Sequence, residues 1–149
     1  MTPPAASTVV SQRDVVFTPF MLRVRATLEG EDTAVPLRLR PSTERGIAAA
    51  TWEWFEYRGR AEQVIAEANA MVTGDSPFDL VDEIGTGRLS FVVRLGGDWA
   101  RFFIGRQGKT AWIEIERPEP AAAPVEPGDL GVLEDLLVEF LTRYREVTG

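Results

Sequence analysis

The residues that could do chemistry fall into three groups. Asp79, Asp82 and Glu83, in FDLVDE, are the densest carboxylates and could hold a hard cation. Their spacing lacks the alternating Asp/Asn ligands, the glycine and the terminal Glu of a calcium loop, so a solvated acidic loop is the plainer reading. Glu53 and Glu56 lie within Trp52-Glu-Trp-Phe-Glu-Tyr57. They sit on opposite sides of a strand, or three apart on a helix, and make a weak acid–base pair. The tryptophans beside them could stack on an aromatic ligand or a base, but more often such residues are core. The third group is Trp99, Arg101, Phe103, Trp112 and Glu114. Aromatic anchors with charged borders are the chemistry of a protein interface rather than of bond-making.

What is missing narrows the field further. The 149-residue chain has no His and no Cys. Imidazole-dependent triads, thiol catalysis, disulfides and zinc thiolate sites are therefore excluded. No dinucleotide fingerprint, P-loop or GxSxG motif occurs. The reading is of a chain that is not an enzyme, with no catalytic, cofactor-binding or metal-ligating residues to name. The net charge of −7 disfavours nonspecific nucleic-acid binding and favours a basic protein partner. Residues 1–113 carry 14 acids and 13 bases, whereas residues 114–149 carry 9 and 3. The excess negative charge thus sits in the last quarter, as a solvated tail and helix face or, alternatively, as a docking surface. Of the 16 basic residues only Lys109 is not Arg, a composition that suggests GC-rich bacterial coding. No stretch is apolar enough to span a bilayer, and MTPPAASTVVSQRD lacks the pattern of a signal peptide. A cytoplasmic location is expected.

The elements that must position these residues can be read in order. Residues 1–12 form a leader without periodicity. Phe20, Leu22, Val24, Ala26 and Leu28 alternate with polar or charged neighbours and predict a half-buried strand; Val35, Leu37 and Leu39 predict another. Ile47–Tyr57 is ambiguous. Its alanines favour a helix and its four aromatics a strand, and the second half is read as strand. Arg58-Gly59-Arg60 then breaks the pattern. Ala61–Val72 has the apolar stripe of a helix ended by Gly74, and a short turn or strand is expected at Phe78–Ile84.

Residues 88–117 predict a three-stranded meander with turns at Gly96-Gly97 and Gln107-Gly108. That register pairs Phe102 with Ile113, Ile104 with Ala111 and Ala100 with Ile115 on an aliphatic face. On the other face it pairs Phe103 with Trp112, Arg101 with Glu114 and Trp99 with Glu116. Residues 118–128 are a Pro/Ala linker, and Asp129 can cap a helix over 130–146 whose stripe runs from Leu133 to Tyr144. The fold class is α+β. An antiparallel sheet of about five to six strands, including the meander, is packed by a central helix (61–72) and the C-terminal helix, in one domain over 13–149. Two amphipathic helices and only one aliphatic face favour a helix lying over the aromatic face, which would make its tryptophans structural. Left open, that face is the surface for a partner.

This order of elements, with the stretch ATWEWFEYRGRAEQVIAEANAM read as an aromatic strand running into a helix, resembles the small actinobacterial α+β immunity proteins of polymorphic toxin systems, the WapI-type among them. The likeness covers most of residues 14–145 and rests on layout and composition, so it transfers no residue roles. It implies a non-catalytic inhibitor that masks the active site of a toxin encoded beside it. A secretion-chaperone-like or assembly subunit, with a homodimer open, and a small-ligand-binding module are the alternatives.

Overall fold

Pro19 cannot donate to a helix ladder and Thr18 can cap one, so the chain turns into a helix where alternation alone predicts a strand. The computed structural model describes residues 16–72, 77–83, 87–119 and 123–148. Its first element, α1 (Pro19–Leu28), starts with the Thr18 hydroxyl accepting the Met21 N–H at 3.1 Å. Phe20, Met21, Val24 and Thr27 are buried, a helical spacing, while Leu22 is exposed. The strand expected over 20–28 is thus corrected. So is the one over 35–39, where only β1 (Leu39–Pro41) is extended. The leader 1–12, Gly74 as a helix stop and residues 120–122 of the linker lie outside the described residues.

After the two-residue strand β2 (Arg45–Gly46) comes the largest correction. Residues 47–71 form one 25-residue helix, α2 (Ile47–Met71), so neither the aromatic strand nor the break at Arg58–Arg60 exists, and the central helix begins at 47, not 61. Ala50, Trp54, Tyr57, Ala61, Val64, Ile65 and Ala68 are buried at intervals of three or four (with Ile65 beside Val64), a periodicity that runs unbroken across Gly59. Trp54 and Tyr57 therefore point inward, and Trp52 and Phe55 outward.

The sheet adds β3 (Asp79–Asp82), β4 (Ser90–Leu95), β5 (Asp98–Gln107), β6 (Thr110–Glu116) and β7 (Val125–Pro127). The seven strands are antiparallel in the order β1-β7-β6-β5-β4-β3, with β2 also on β6. The first meander turn is Gly96-Gly97, as expected. The second is Gly108-Lys109, because Gly108 takes the positive φ (61°) that a tight hairpin needs. Phe102 therefore faces Ile115, Ile104 faces Ile113 and Phe103 faces Glu114, two residues away from the expected register. A slip of two leaves every side chain on its expected face.

α2 and α3 (Gly131–Thr148) cover the aliphatic face of this α+β fold. Phe91 and Phe102 stack at 4.8 Å, and Trp54 meets Phe91 edge-on and donates its indole N–H to the Phe102 carbonyl at 3.1 Å. Leu133, Leu136, Leu137, Phe140 and Leu141 join the same core. α1 packs on α2 and α3, so α3 also buries Val132, Val138 and Asp135.

Most acids of the last quarter are counterions for arginines elsewhere. Asp135 pairs with Arg23, Asp129 with Arg38 and Glu134 with Arg60. Glu126, only 1% exposed, binds Arg40 at 2.8 Å and Arg45 at 2.9 Å and accepts the Thr43 N–H at 3.1 Å. Arg45 also reaches within 3.2 Å of Glu53, though that contact is not aligned as a hydrogen bond.

Two outcomes follow for stability. A Cβ at Gly59 would meet nothing within 4 Å, so Gly59→Ala raises stability by about 0.5–1 kcal/mol in urea unfolding; a loss would contradict a continuous helix. Glu126→Ala removes the buried partner of half-buried Arg45 and costs about 3 kcal/mol, whereas Asp129→Ala, at an exposed pair, costs less than about 1 kcal/mol. Equal losses from the two would show that burial is not what separates them.

Candidate functional site

Strand alternation places Trp99, Arg101 and Phe103 of β5 and Trp112 and Glu114 of β6 on one face, opposite the aliphatic core. Among the described residues no helix lies over them. Leu133, Leu136 and Phe140 pack with Phe91 and Phe102 on the other side of the sheet. The expectation that a second amphipathic helix would cover the aromatic face is corrected. That helix is sandwiched between the sheet and α1, and needs no second sheet face to bury its apolar residues.

The face is instead clad by its own side chains. Phe103 is buried beneath the Arg88 guanidinium, 3.9 Å above its ring centre. Arg101 lies 5.0 Å from the Trp99 ring centre and binds Glu83 through two nitrogens at 2.8 and 3.1 Å; it also binds Glu116. These cation–ring geometries are attractive and hold both partners in place. Trp112 lies opposite Gly105 and donates its indole N–H to Glu114 at 3.0 Å. Its ring occupies the space over that glycine, where a Cβ would come within 2.3 Å of it. All five expected residues share the face, but the direct partners are Arg101 with Glu116 and Phe103 with Glu114.

Two other groups are not assembled as the sequence suggested. Asp79, Asp82 and Glu83 diverge to Arg94, Arg58 and Arg101, and no three acidic side chains gather as potential metal ligands among the described residues. Trp52 and Trp54 are on opposite sides of α2. Trp52 is 68% exposed and Phe55 53%. Sequence reading missed this exposed pair, although extending the helical period of 61–72 back through 57, 54 and 50 would have set both outward.

Hydrogen bonds from Arg101, then Ser90, hold the Glu83 carboxyl below the usual carboxylate range, so it is anionic at neutral pH rather than a proton donor. No helix among the described residues is long and apolar enough to cross a membrane. No protein-family model, curated protein or solved structure matches the chain.

Because Glu83 has a depressed folded pKa, its contribution to stability is present above the unfolded value of about 4.3 and is lost as pH falls through the folded one. Carbon-detected NMR titration will show Glu83 titrating below the ordinary glutamate value, and Arg101→Ala will return it toward about 4.3. An unchanged Glu83 in that variant would remove Arg101 as the cause.

Proposed function

We propose that this chain is a non-catalytic, cytoplasmic protein-binding domain, and that it acts as an immunity protein neutralising a cognate bacterial toxin. One observation carries the binding role: a sheet face with Trp99, Phe103 and Trp112 that no helix covers among the described residues. Tryptophan and arginine are the residues most enriched at interface hot spots. Here they are already held by neighbours, so little ordering entropy is lost when a partner docks. The net charge of −7 suits a basic partner and a salt-sensitive encounter. The toxin-neutralising reading rests on the likeness in layout and composition. The aromatic strand that formed part of that likeness is helix, so the sheet face is the stronger support.

The decisive experiment pairs the purified chain with the protein encoded beside it. Calorimetry is expected to give tight binding that weakens with salt. Trp99→Ala and Trp112→Ala should each weaken it by about 2 kcal/mol, roughly 30-fold, with circular dichroism confirming that both variants fold. Binding that ignores both substitutions would move the interface elsewhere. A neighbour without toxin activity would end the immunity reading, and a dimer in sedimentation with no such binding would favour an assembly or secretion-chaperone-like subunit.

A further inference from the structure

The sheet ends at β3, whose outer side no strand pairs among the described residues. β3 is antiparallel to β4 alone, from Asp79 opposite Arg94 to Asp82 opposite Phe91. In the same register the Glu83 N–H donates to the Ser90 carbonyl at 3.0 Å. Bonded and non-bonded pairs alternate along an antiparallel ladder, so Asp79, Val81 and Glu83 turn their backbone groups toward β4. Leu80 and Asp82 turn theirs outward, and no hydrogen bond among the described residues meets the N–H or C=O of either. Upstream, the Asn69 side chain takes both backbone groups of Phe78. The open edge is therefore a short row of donors and acceptors, the pattern that another extended backbone completes.

The side chains decide what kind of strand fits. Nothing from Pro77 to Glu83 is basic, and Asp79, Asp82 and Glu83 line the edge. Their arginine partners stand back from it, Arg94 on β4, Arg58 on α2 and Arg101 on β5. Asp79 is the loosest held, 3.5 Å from Arg94 in an exposed pair. Val81, 38% exposed, lies between Asp79 and Glu83 on the outer face, while Leu80 packs against the core. A second copy fits this edge badly. Two β3 edges join all their outward groups only when Leu80 of one copy faces Asp82 of the other, about Val81. That register sets Asp79 directly opposite Glu83 at both ends, and like charges so placed repel. A strand with cations at those two places is attracted by the same carboxylates.

We propose that β3 takes up an extended strand of another protein, one with a β-branched residue flanked two positions away on each side by Lys or Arg. The inference goes beyond the sheet-face reading and does not rest on it. Main-chain bonds to Leu80 and Asp82 hold the added strand about 4.8 Å from β3. Its two cations face Asp79 and Glu83, and its β-branched residue lies against Val81. The side chains between them turn toward Leu80 and Asp82. Backbone bonding supplies affinity, and the alternate positions supply the choice of sequence. The carboxylates that keep two copies apart thus also select the guest.

The test selects a phage-displayed library of random 12-residue peptides on the full chain, then measures fluorescein-labelled winners by anisotropy. Enriched sequences should carry two basic residues four apart around a β-branched one, with no Pro between them. Amide hydrogen exchange followed by NMR reads the site without any substitution. In the free chain Leu80 and Asp82 should exchange faster than Val81 and Glu83, and peptide should slow both by about tenfold or more. Asp79→Lys, at an exposed position, should raise Kd by about tenfold or more. Leu80→Pro removes an outward N–H, keeps the β4 ladder, and should weaken binding likewise, with thermal melts confirming that each variant folds. Trp112→Ala, on β6, should leave the peptide Kd unchanged, which separates this edge from the sheet face. No enrichment, enrichment of acidic or Pro-rich peptides, unchanged exchange at Leu80 and Asp82, or binding lost in Trp112→Ala but kept in Asp79→Lys would each overturn the proposal. So would slowing of those two amides with chain concentration alone, which would give the edge to a second copy.

Discussion

A carboxylate shut away from water is stable only if nearly all of its acceptor capacity is met, and Glu126 is such a group. Two guanidiniums and a backbone amide meet it, and each comes from a different point of the 40–45 segment. The short strands β1 and β7 are also held by the Gly128 N–H on the Arg38 carbonyl, the Ser42 N–H on the Pro124 carbonyl and the Tyr57 hydroxyl on the Pro127 carbonyl. Three residues of ladder apiece do not secure an edge, but the ionic clamp fixes both against β2 and, through Arg45, against Glu53 of α2. The position of the α2 N-terminal half follows from this. Once Ile47 is tethered beside β2, Trp54 falls on the Phe91–Phe102 stack and its indole N–H meets the Phe102 carbonyl.

From that anchoring comes a one-sided architecture. The three helices among the described residues lie on the aliphatic side of the sheet, so its other face has to be compatible with water while carrying three large aromatics. It achieves this by stacking cations over rings and by laying an indole over a glycine, devices that use the sheet's own side chains in place of a second layer. Such a face differs from a core face left bare. Its polar groups are satisfied in advance and its aromatic groups are held at fixed positions.

How far all this was legible in the sequence depends on which errors a pattern tolerates. The meander could be read because strand faces have period two. Even a register wrong by two residues kept Trp99, Phe103 and Trp112 together and away from Ile104 and Ile113. The α1 segment could not be read from alternation, since Phe20, Val24 and Leu28 fit a helix and a strand alike, and Thr18-Pro19 was the signal that separated them. In α2, aromatic enrichment reported burial of Trp54 and Tyr57 rather than extended backbone, and Gly59 looked like a stop when it only lowers propensity. The exposed Trp52 and Phe55 were hidden by that same misreading. The destination of the C-terminal acids was not legible at all, because ion pairs across the chain have no local signature.

Those pairs have a bearing on how the molecule is made. Asp135 lies 112 residues after Arg23, Asp129 lies 91 after Arg38 and Glu126 lies 86 after Arg40. At a translation speed of about 5–20 residues per second, the first helix waits roughly 5–20 s for its counterion. The aliphatic face of the β4–β6 meander, completed at Glu116, also lacks α3 until Gly131–Thr148 is made. The chain therefore cannot close from its N-terminus as it emerges from the ribosome. Its last quarter, the most acidic part, is also the part whose arrival completes the fold, and until then the arginine-bearing first half is exposed to whatever acidic or apolar surfaces the cell presents.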